Sequence, residues 1–356
     1  MNINIIAPIN QLGYGITGLN IVKELSRNNH ISLFMIGHPQ VTNQEDANII
    51  SQCIKNSHFF DVNAPCIKIW HQHDMAQFAG RGKRIGFPIF ELDKFNDLEK
   101  HQLSSLDMIF VCSNWAKNII HDNIKSISKN QVVVIPLGVD LSIFKSSEMP
   151  KNTPTKFLNC GKWEMRKGHD ILVNLFNDAF NEEDDVELHM MCENPFFTES
   201  EQNEWINMYK KSKLGNKIHI IPRQSTQQEV YNIMSTMHCG IFPAKAEGWN
   251  LELLEMMSCG KHVIATDYSA HTEFCDQQNT MLIPISKTEV AYDGKWFHGH
   301  GNWAYIDDNA KGHAVQYMKK IHSLNKNGQL LLNDAGIKTA NTFSWNNTGR
   351  KILNVI

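Results

Sequence analysis

Cys239-Gly240-Ile241-Phe242-Pro243-Ala244-Lys245-Ala246-Glu247-Gly248-Trp249-Asn250-Leu251-Glu252-Leu253-Leu254-Glu255 decides the fold of the chain. The apolar run 239–242 meets Pro243 and stops as a strand does. A short loop carries Glu247, Gly248 and Asn250, and Leu251, Leu254 and Met257-Ser258 then recur at helical spacing. Glu247 therefore falls in a strand-to-helix loop and Glu255 about one turn into the helix. Two carboxylates flank a helix N-terminus, whose unpaired N–H groups favour an anion. This layout suits a phosphate-bearing ligand with hydroxyls on either side.

The same strand–loop–helix unit repeats in both directions from that point. Upstream, 3–7 reads as a buried strand, 31–36 as a second, and a helical pattern runs between them through Leu19, Val22 and Leu25. This is a βαβ opening and implies a parallel sheet. Further strands fall at 66–70, 84–90, 108–112, 132–135, 156–160, 186–191, 218–221 and 262–266. Helices are expected near 201–212, 227–237, 250–259 and 310–324. The 356 residues are long for one core, and two domains are the prior. The segment 146–154 is polar, has two prolines and lacks periodicity, so it marks the boundary. We expect an α/β protein of two Rossmann-like, doubly wound parallel-sheet domains facing a cleft, residues 1–147 and 155–340 with a linker at 148–154. A terminal helix over 341–356 is expected to pack back on the first domain.

Composition narrows the function classes. Hydrophobic residues make up 42% and charged ones 20%, with 34 basic against 37 acidic side chains and a net charge of −3. No stable nucleic-acid binding follows from that balance, while a peripheral membrane contact stays open. The eight cysteines have no CxxC spacing and lie in or beside apolar runs, which reads as reduced thiols in a cytoplasmic protein. The first residues lack a basic leader region, and no apolar run approaches ~20 residues.

Polar residues gather after successive strands, where open α/β sheets bind ligands. Gly13-Tyr14-Gly15-Ile16-Thr17-Gly18 spells GxGxxG. The first glycine comes late after the strand, and the second strand ends in Gly37-His38 rather than an acidic ribose clamp, so a dinucleotide site is disfavoured. A glycine-rich loop open to a ligand, with Gly15 at its centre, is the better reading. His71 and His73 share a strand face without an evident third ligand, so a polar role at the cleft is expected in place of a metal. Lys162, Arg166 and Lys167 fall within six residues beside Gly161 and Gly168 and suit a diphosphate. The stretch 291–305 is rich in aromatics, His and Gly and reads as a loop, filling a gap or stacking on sugar rings.

With these pieces in order, the chain resembles the retaining glycosyltransferases of family 4, which have the GT-B fold. The resemblance rests on Glu247 to Glu255 as an E-x7-E motif followed by 256–266, with support from 161–168, from Ile135-Pro136-Leu137-Gly138-Val139-Asp140 with Phe144, and from the Gly13–Gly15 segment. It implies a hexosyltransferase that takes a UDP- or GDP-sugar donor and a carbohydrate or other hydroxyl acceptor. It further implies that Glu255 binds ribose, the amides of Asn250 and Leu251 take a phosphate, and Lys162, Arg166 and Lys167 neutralise the diphosphate. Glu247 would contact the transferred sugar and the backbone near Arg223 the base, with Gly15 and Gly248 lining the donor. No DxD sequence occurs, so no metal cofactor is invoked. Glu252 stands where the family has proline. Glu91 stands where better-known members have histidine, which shifts polar work toward His73. A DNA- or nucleotide-modifying glucosyltransferase, a silent nucleotide-sugar-binding subunit and an NAD-dependent oxidoreductase are the rival readings.

Overall fold

The computed structural model describes residues 1–151 and 153–356. The chain divides into two compact units, Met1–Gly138 with Phe343–Ile356, and Val139–Thr342. Each is built on a six-stranded parallel sheet.

In the first unit the strands are β1 (Asn2–Ala7), β2 (His30–Met35), β3 (Cys66–Ile69), β4 (Arg84–Phe87), β5 (Met108–Val111) and β6 (Val132–Val134), in the order β2-β1-β3-β4-β5-β6. Ile3, Ile5, Ile31, Leu33, Ile67, Ile69, Ile85 and Ile109 are buried, as expected of strands covered on both faces. The helices are α1 (Gly13–Ser26), α2 (Gln44–Asn56), α3 (Asp97–Ser104) and α4 (Asn114–Asn123), with α11 (Trp345–Leu353) added from the end of the chain. Ser113 caps α4 by accepting from the Ala116 amide. The Thr348 hydroxyl on α11 donates to the Pro136 carbonyl at 2.7 Å, and Gly138 is pressed against the Trp345 backbone.

The glycine-rich loop expected at 13–18 is not a loop. α1 already starts at Gly13, and the loop proper is Pro8–Leu12. A Cβ on Gly15 would fall on Asn10, and one on Gly18 on the Pro8 carbonyl. These glycines let the helix lie directly on the loop that precedes it.

The second unit contains β7 (Thr155–Cys160), β8 (Val186–Met191), β9 (Ile218–Ile220), β10 (Cys239–Phe242), β11 (His262–Thr266) and β12 (Met281–Ile283), in the order β12-β11-β10-β7-β8-β9. Its helices are α5 (His169–Ala179), α6 (Glu199–Lys210), α7 (Gln227–Met234), α8 (Leu251–Ser258), α9 (Asp308–Lys326) and α10 (Asp334–Thr342). The strand order reverses between β7 and β10, so the loops after these two strands border the crevice where such sheets take ligands.

Two sequence expectations differ here. Residues 139–147, read from the sequence as the end of the first domain, belong with the second unit, as do the described residues of the expected linker. Phe144 is buried with its carbonyl accepting from the Ser258 hydroxyl at 2.6 Å, and Lys261 donates to the Glu148 carbonyl at 2.8 Å. Asn152, in the expected linker, lies outside the described residues. The aromatic stretch is not a loop but an antiparallel hairpin, β13 (Thr288–Tyr292) and β14 (His298–Ala304). Asp293 closes its turn by accepting from the amides of Lys295, Trp296 and Phe297.

Candidate active site

The loops after β7 and β10 meet at a buried network of alternating charge. Glu247 is 5% exposed. One of its carboxylate oxygens accepts from Arg166 Nη1 and the other from Lys167 Nζ, both at 2.8 Å. Arg166 turns its other edge to Glu164, donating from Nε at 3.0 Å and Nη2 at 2.8 Å, and Lys162 reaches the second Glu164 oxygen at 3.0 Å. Lys162, Glu164, Arg166, Glu247 and Lys167 thus form one chain of charges.

Local backbone chemistry explains how these side chains converge. Gly161 has φ +139°, and its bare Cα leaves room for the Lys167 stem, which a Cβ would meet at 2.9 Å. Gly168 has φ +74° and starts α5, and a Cβ there would fall on the Pro243 carbonyl. The two loops therefore touch at backbone level, and Arg166 also donates to the Ala246 carbonyl at 2.7 Å. Glu247 is gripped from the other side: its N–H donates to Ser269 Oγ at 2.8 Å, and the Ala270 N–H donates to its carbonyl. Ser269 has φ +55°, a left-handed conformation that costs roughly 1–3 kcal/mol and is kept where surrounding structure imposes it.

Asn250 has φ +84° as the N-cap of α8, and its side-chain oxygen accepts from the Leu253 amide at 3.2 Å. Its Nδ2 donates to His271 Nε2 at 2.9 Å, while His271 Nδ1–H donates to the Thr266 carbonyl at 3.0 Å. This arrangement sets the imidazole tautomer. Burial holds His271 neutral. His169 is held in the opposite tautomer: Nδ1 accepts from the Glu164 amide at 3.0 Å, and Nε2–H donates to Asn159 Oδ1 at 2.8 Å. Burial pushes its pKa down to about 3.

The two carboxylates of the opening motif behave oppositely. Burial raises the pKa of Glu247, but Arg166 and Lys167 outweigh it and hold the carboxyl well below the usual range. Glu255 is buried on α8, and burial, then Glu252 and Asp140, push its pKa well up. The cations thus favour the anion at Glu247, whereas burial and the neighbouring carboxylates favour the protonated acid at Glu255. Lys167 loses charge stability to burial but regains more from Glu247, and its pKa rises.

A narrow crevice lined by Asn159, Cys160, Lys167, Phe242, Ala244, Glu247 and Asn250 opens onto this network. Of the residues singled out in sequence, Arg166, Lys167, Glu247, Gly248, Asn250, Leu251 and Glu255 are buried around these loops, and Lys162 stands at the network's outer end. Arg223 follows β9, and its amide donates to Glu193. Gly15, His73 and Glu91 belong to the first unit. There His73 is exposed in the turn after β3, stacked on His71 at 5.3 Å, so the two histidines do not share a strand face. Glu91 is half-buried after β4.

Sequence reasoning missed the residues that brace the site. Glu164, the hub of the charge chain, looked like one acid in a basic loop. Lys245 pairs with Asp170 at 3.2 Å and Glu289 at 3.3 Å, and the Ala304 amide donates to its carbonyl at 2.8 Å. The hairpin thereby ties down the loop that carries Glu247. Ser269 and His271 could have been flagged only by their place after β11, the neighbour of β10.

The chain is similar to known glycosyltransferases in sequence over part of its length and in fold over nearly all of it. Residues 154–293 match the family model described as glycosyl transferases group 1. An uncharacterized glycosyltransferase of Methanocaldococcus jannaschii is 26% identical over 167 residues, 47% of this chain and 42% of that protein. The chain thus matches less than half the length of this curated relative. Among solved structures, sucrose-phosphate synthase from Thermosynechococcus elongatus has a TM-score of 0.71 at 14% identity, covering 99% of this chain and 97% of that one. A glycosyltransferase from Rickettsia africae gives 0.70 at 18% identity, with 99% and 97% covered. Anabaena HepE in complex with UDP-glucose gives 0.69 at 13% identity, with 99% and 98% covered. The chain has the GT-B fold, and the unit that holds the charged network carries the segment that matches group 1 glycosyltransferases.

Proposed function

We propose that the protein is a retaining glycosyltransferase that moves a hexose from a UDP- or GDP-sugar to a hydroxyl on a glycan, a lipid-linked glycan or a small molecule, and that it belongs with the E-x7-E enzymes of family 4. The observation that carries this reading is the Glu247 carboxylate clamped by Arg166 and Lys167 beside the N-terminus of α8. Buried ion networks are seldom the most stable solution for a core, and replacing one with apolar groups is often neutral or stabilising. A chain that keeps four charged side chains almost fully buried has a use for them.

In this reading Lys167 and the outer cation Lys162 meet the diphosphate, and the α8 amides take one of its phosphates. Fixed cations and a helix N-terminus offset the charge that develops as the nucleoside diphosphate leaves. Glu247 is held as an anion next to the transferred sugar and orients its hydroxyls near the reacting carbon. Glu255 contributes a neutral carboxyl to the ribose, donating to one hydroxyl and accepting from the other. The acceptor oxygen attacks from the face the phosphate leaves, and the leaving phosphate accepts the acceptor's proton. The protein side chains supply the needed charge, so the reaction as proposed requires no metal. The complex of HepE with UDP-glucose supports a nucleotide-sugar ligand for this fold.

The test is nucleotide release from UDP-, GDP- and ADP-sugars without acceptor. Slow release from one donor is expected, and Glu247→Gln should abolish it while its circular dichroism stays unchanged. Absence of release and of any thermal shift with every donor would overturn the proposal.

A further inference from the structure

A second cluster of chemically capable side chains lies on the other wing of the same sheet. Strand β8 reads Val186-Glu187-Leu188-His189-Met190-Met191. Val186, Leu188 and Met190 are buried in the core cluster, so Glu187 and His189 share the opposite face. Strands of a parallel sheet are normally apolar on both faces, and this alternation departs from that. The neighbouring β9 places His219 directly beside His189 in register, and the two imidazoles stack at 4.9 Å with 26° between their planes. His189 Nε2 lies 2.8 Å from one Glu187 oxygen, and His219 Nε2 lies 3.9 Å from the other.

We propose that Glu187, His189 and His219 form a binding site for a divalent transition-metal cation, with Zn2+ the best match, that clips the edge strand β9 to β8. One donor atom from each residue lies within 4.8 Å of the other two. Tetrahedral zinc with bonds of about 2.0–2.2 Å needs donors roughly 3.3–3.5 Å apart, inside the 4.8 Å span of this set. Rotation of the partly exposed Glu187 and the exposed His219 would draw the set together. Two imidazoles and one carboxylate are a donor set of Zn2+ sites that leave the fourth position to water, and imidazole also suits Cu2+ and Ni2+. Oxygen-seeking Mg2+ and Ca2+ are poorly served. Lys156, in register with Glu187 on β7, opposes a cation and limits affinity. β9 has only three residues and lies at the sheet edge, so a cross-strand clip has something to hold.

The test is calorimetric titration of untagged, EDTA-treated full-length protein with ZnCl2, alongside MgCl2. Saturable binding of Zn2+ and not Mg2+ is expected, with a rise in melting temperature. Binding should be lost in His219→Ala, whose side chain is exposed and whose removal leaves the core untouched. It should also be lost in His189→Ala and be weakened in Glu187→Gln, and Co2+ should give the visible absorption of tetrahedral coordination in wild type alone. The pair His71 and His73 is the internal control. Zn2+ binding that survives His219→Ala and His189→Ala but disappears in the double variant of His71 and His73 would overturn the proposal, as would no binding in wild type.

Discussion

The two units use the same sheet plan, yet they fill their switch points with opposite chemistry. In the first, the strand order reverses between β1 and β3, and Tyr14 covers that place. Its ring packs on Trp70 at 5.5 Å and His71 at 4.7 Å, while its hydroxyl donates to the Ile89 carbonyl at 2.6 Å. In the second, the matching place between β7 and β10 holds Arg166, Lys167, Glu247 and Glu164. Glycines serve both, but differently. Gly15 and Gly18 sit inside a helix and bring it onto a loop, whereas Gly161 and Gly168 have positive φ, the first making room for the Lys167 stem and the second letting its loop meet the Pro243 backbone of the other. An aromatic plug asks only for packing. A buried charge network asks for partners on every atom, and it fails abruptly when one is removed.

Removing a member of that network should therefore have the largest effect. Arg166→Met leaves Glu164 and Glu247 facing each other without their shared partner, and loss of one side of a buried pair costs about 3–5 kcal/mol. Urea unfolding of the full chain should show that loss, and a loss under about 1 kcal/mol would mean the network is far better solvated than its burial implies. Next comes Gly168→Ala, which combines a left-handed φ with a Cβ on the Pro243 carbonyl and should cost at least about 1–3 kcal/mol. Gly13→Ala in the first unit has no neighbour within 4 Å and no positive φ, so it should be neutral or stabilise by about 0.4–1 kcal/mol. Equal effects at the two glycines would erase the contrast between the units.

The smallest effect separates Glu247 from Glu255 by pH. The folded pKa of Glu247 is depressed, so its contribution to stability is present above the unfolded value of ~4.3 and is lost as pH falls below it. The folded pKa of Glu255 is raised, so its contribution is complete below ~4.3 and declines as pH rises toward the folded value. Glu255→Gln should therefore flatten the alkaline side of the stability profile and Glu247→Gln the acid side. Matching profiles for the two variants would contradict the opposite ionisation of the pair.

Much of the fold was readable in the sequence because short runs of strand-forming residues that end at turn or polar residues mark the strands of a parallel sheet. The runs 186–191, 239–242 and 262–266 are the strands β8, β10 and β11. Strand β12 was missed because Met281-Leu282-Ile283 is too short for a pattern. The hairpin β13–β14 was read as a loop because glycines and histidines interrupt its alternation, and Asp293, which closes it, looks like any turn residue. In the site, the cations and Glu247 were legible from residue type and spacing. Glu164, Ser269 and His271 were not, because their roles arise from contacts between loops far apart in the chain. The helix over 13–18 was hidden by glycine's low helix propensity, which close packing on Asn10 and Pro8 overrides here.

The central claim is that the charge network around Glu247 supports departure of a nucleoside diphosphate. The most direct measurement is the rate of nucleotide release from the preferred sugar donor by wild type and Lys167→Met, each shown to be folded. Loss of a fixed charge that meets a developing anion costs about 10²–10³-fold in rate. A drop of that size with the nucleotide still bound is the predicted result. A Lys167→Met protein that binds and cleaves the donor at the wild-type rate would contradict the account.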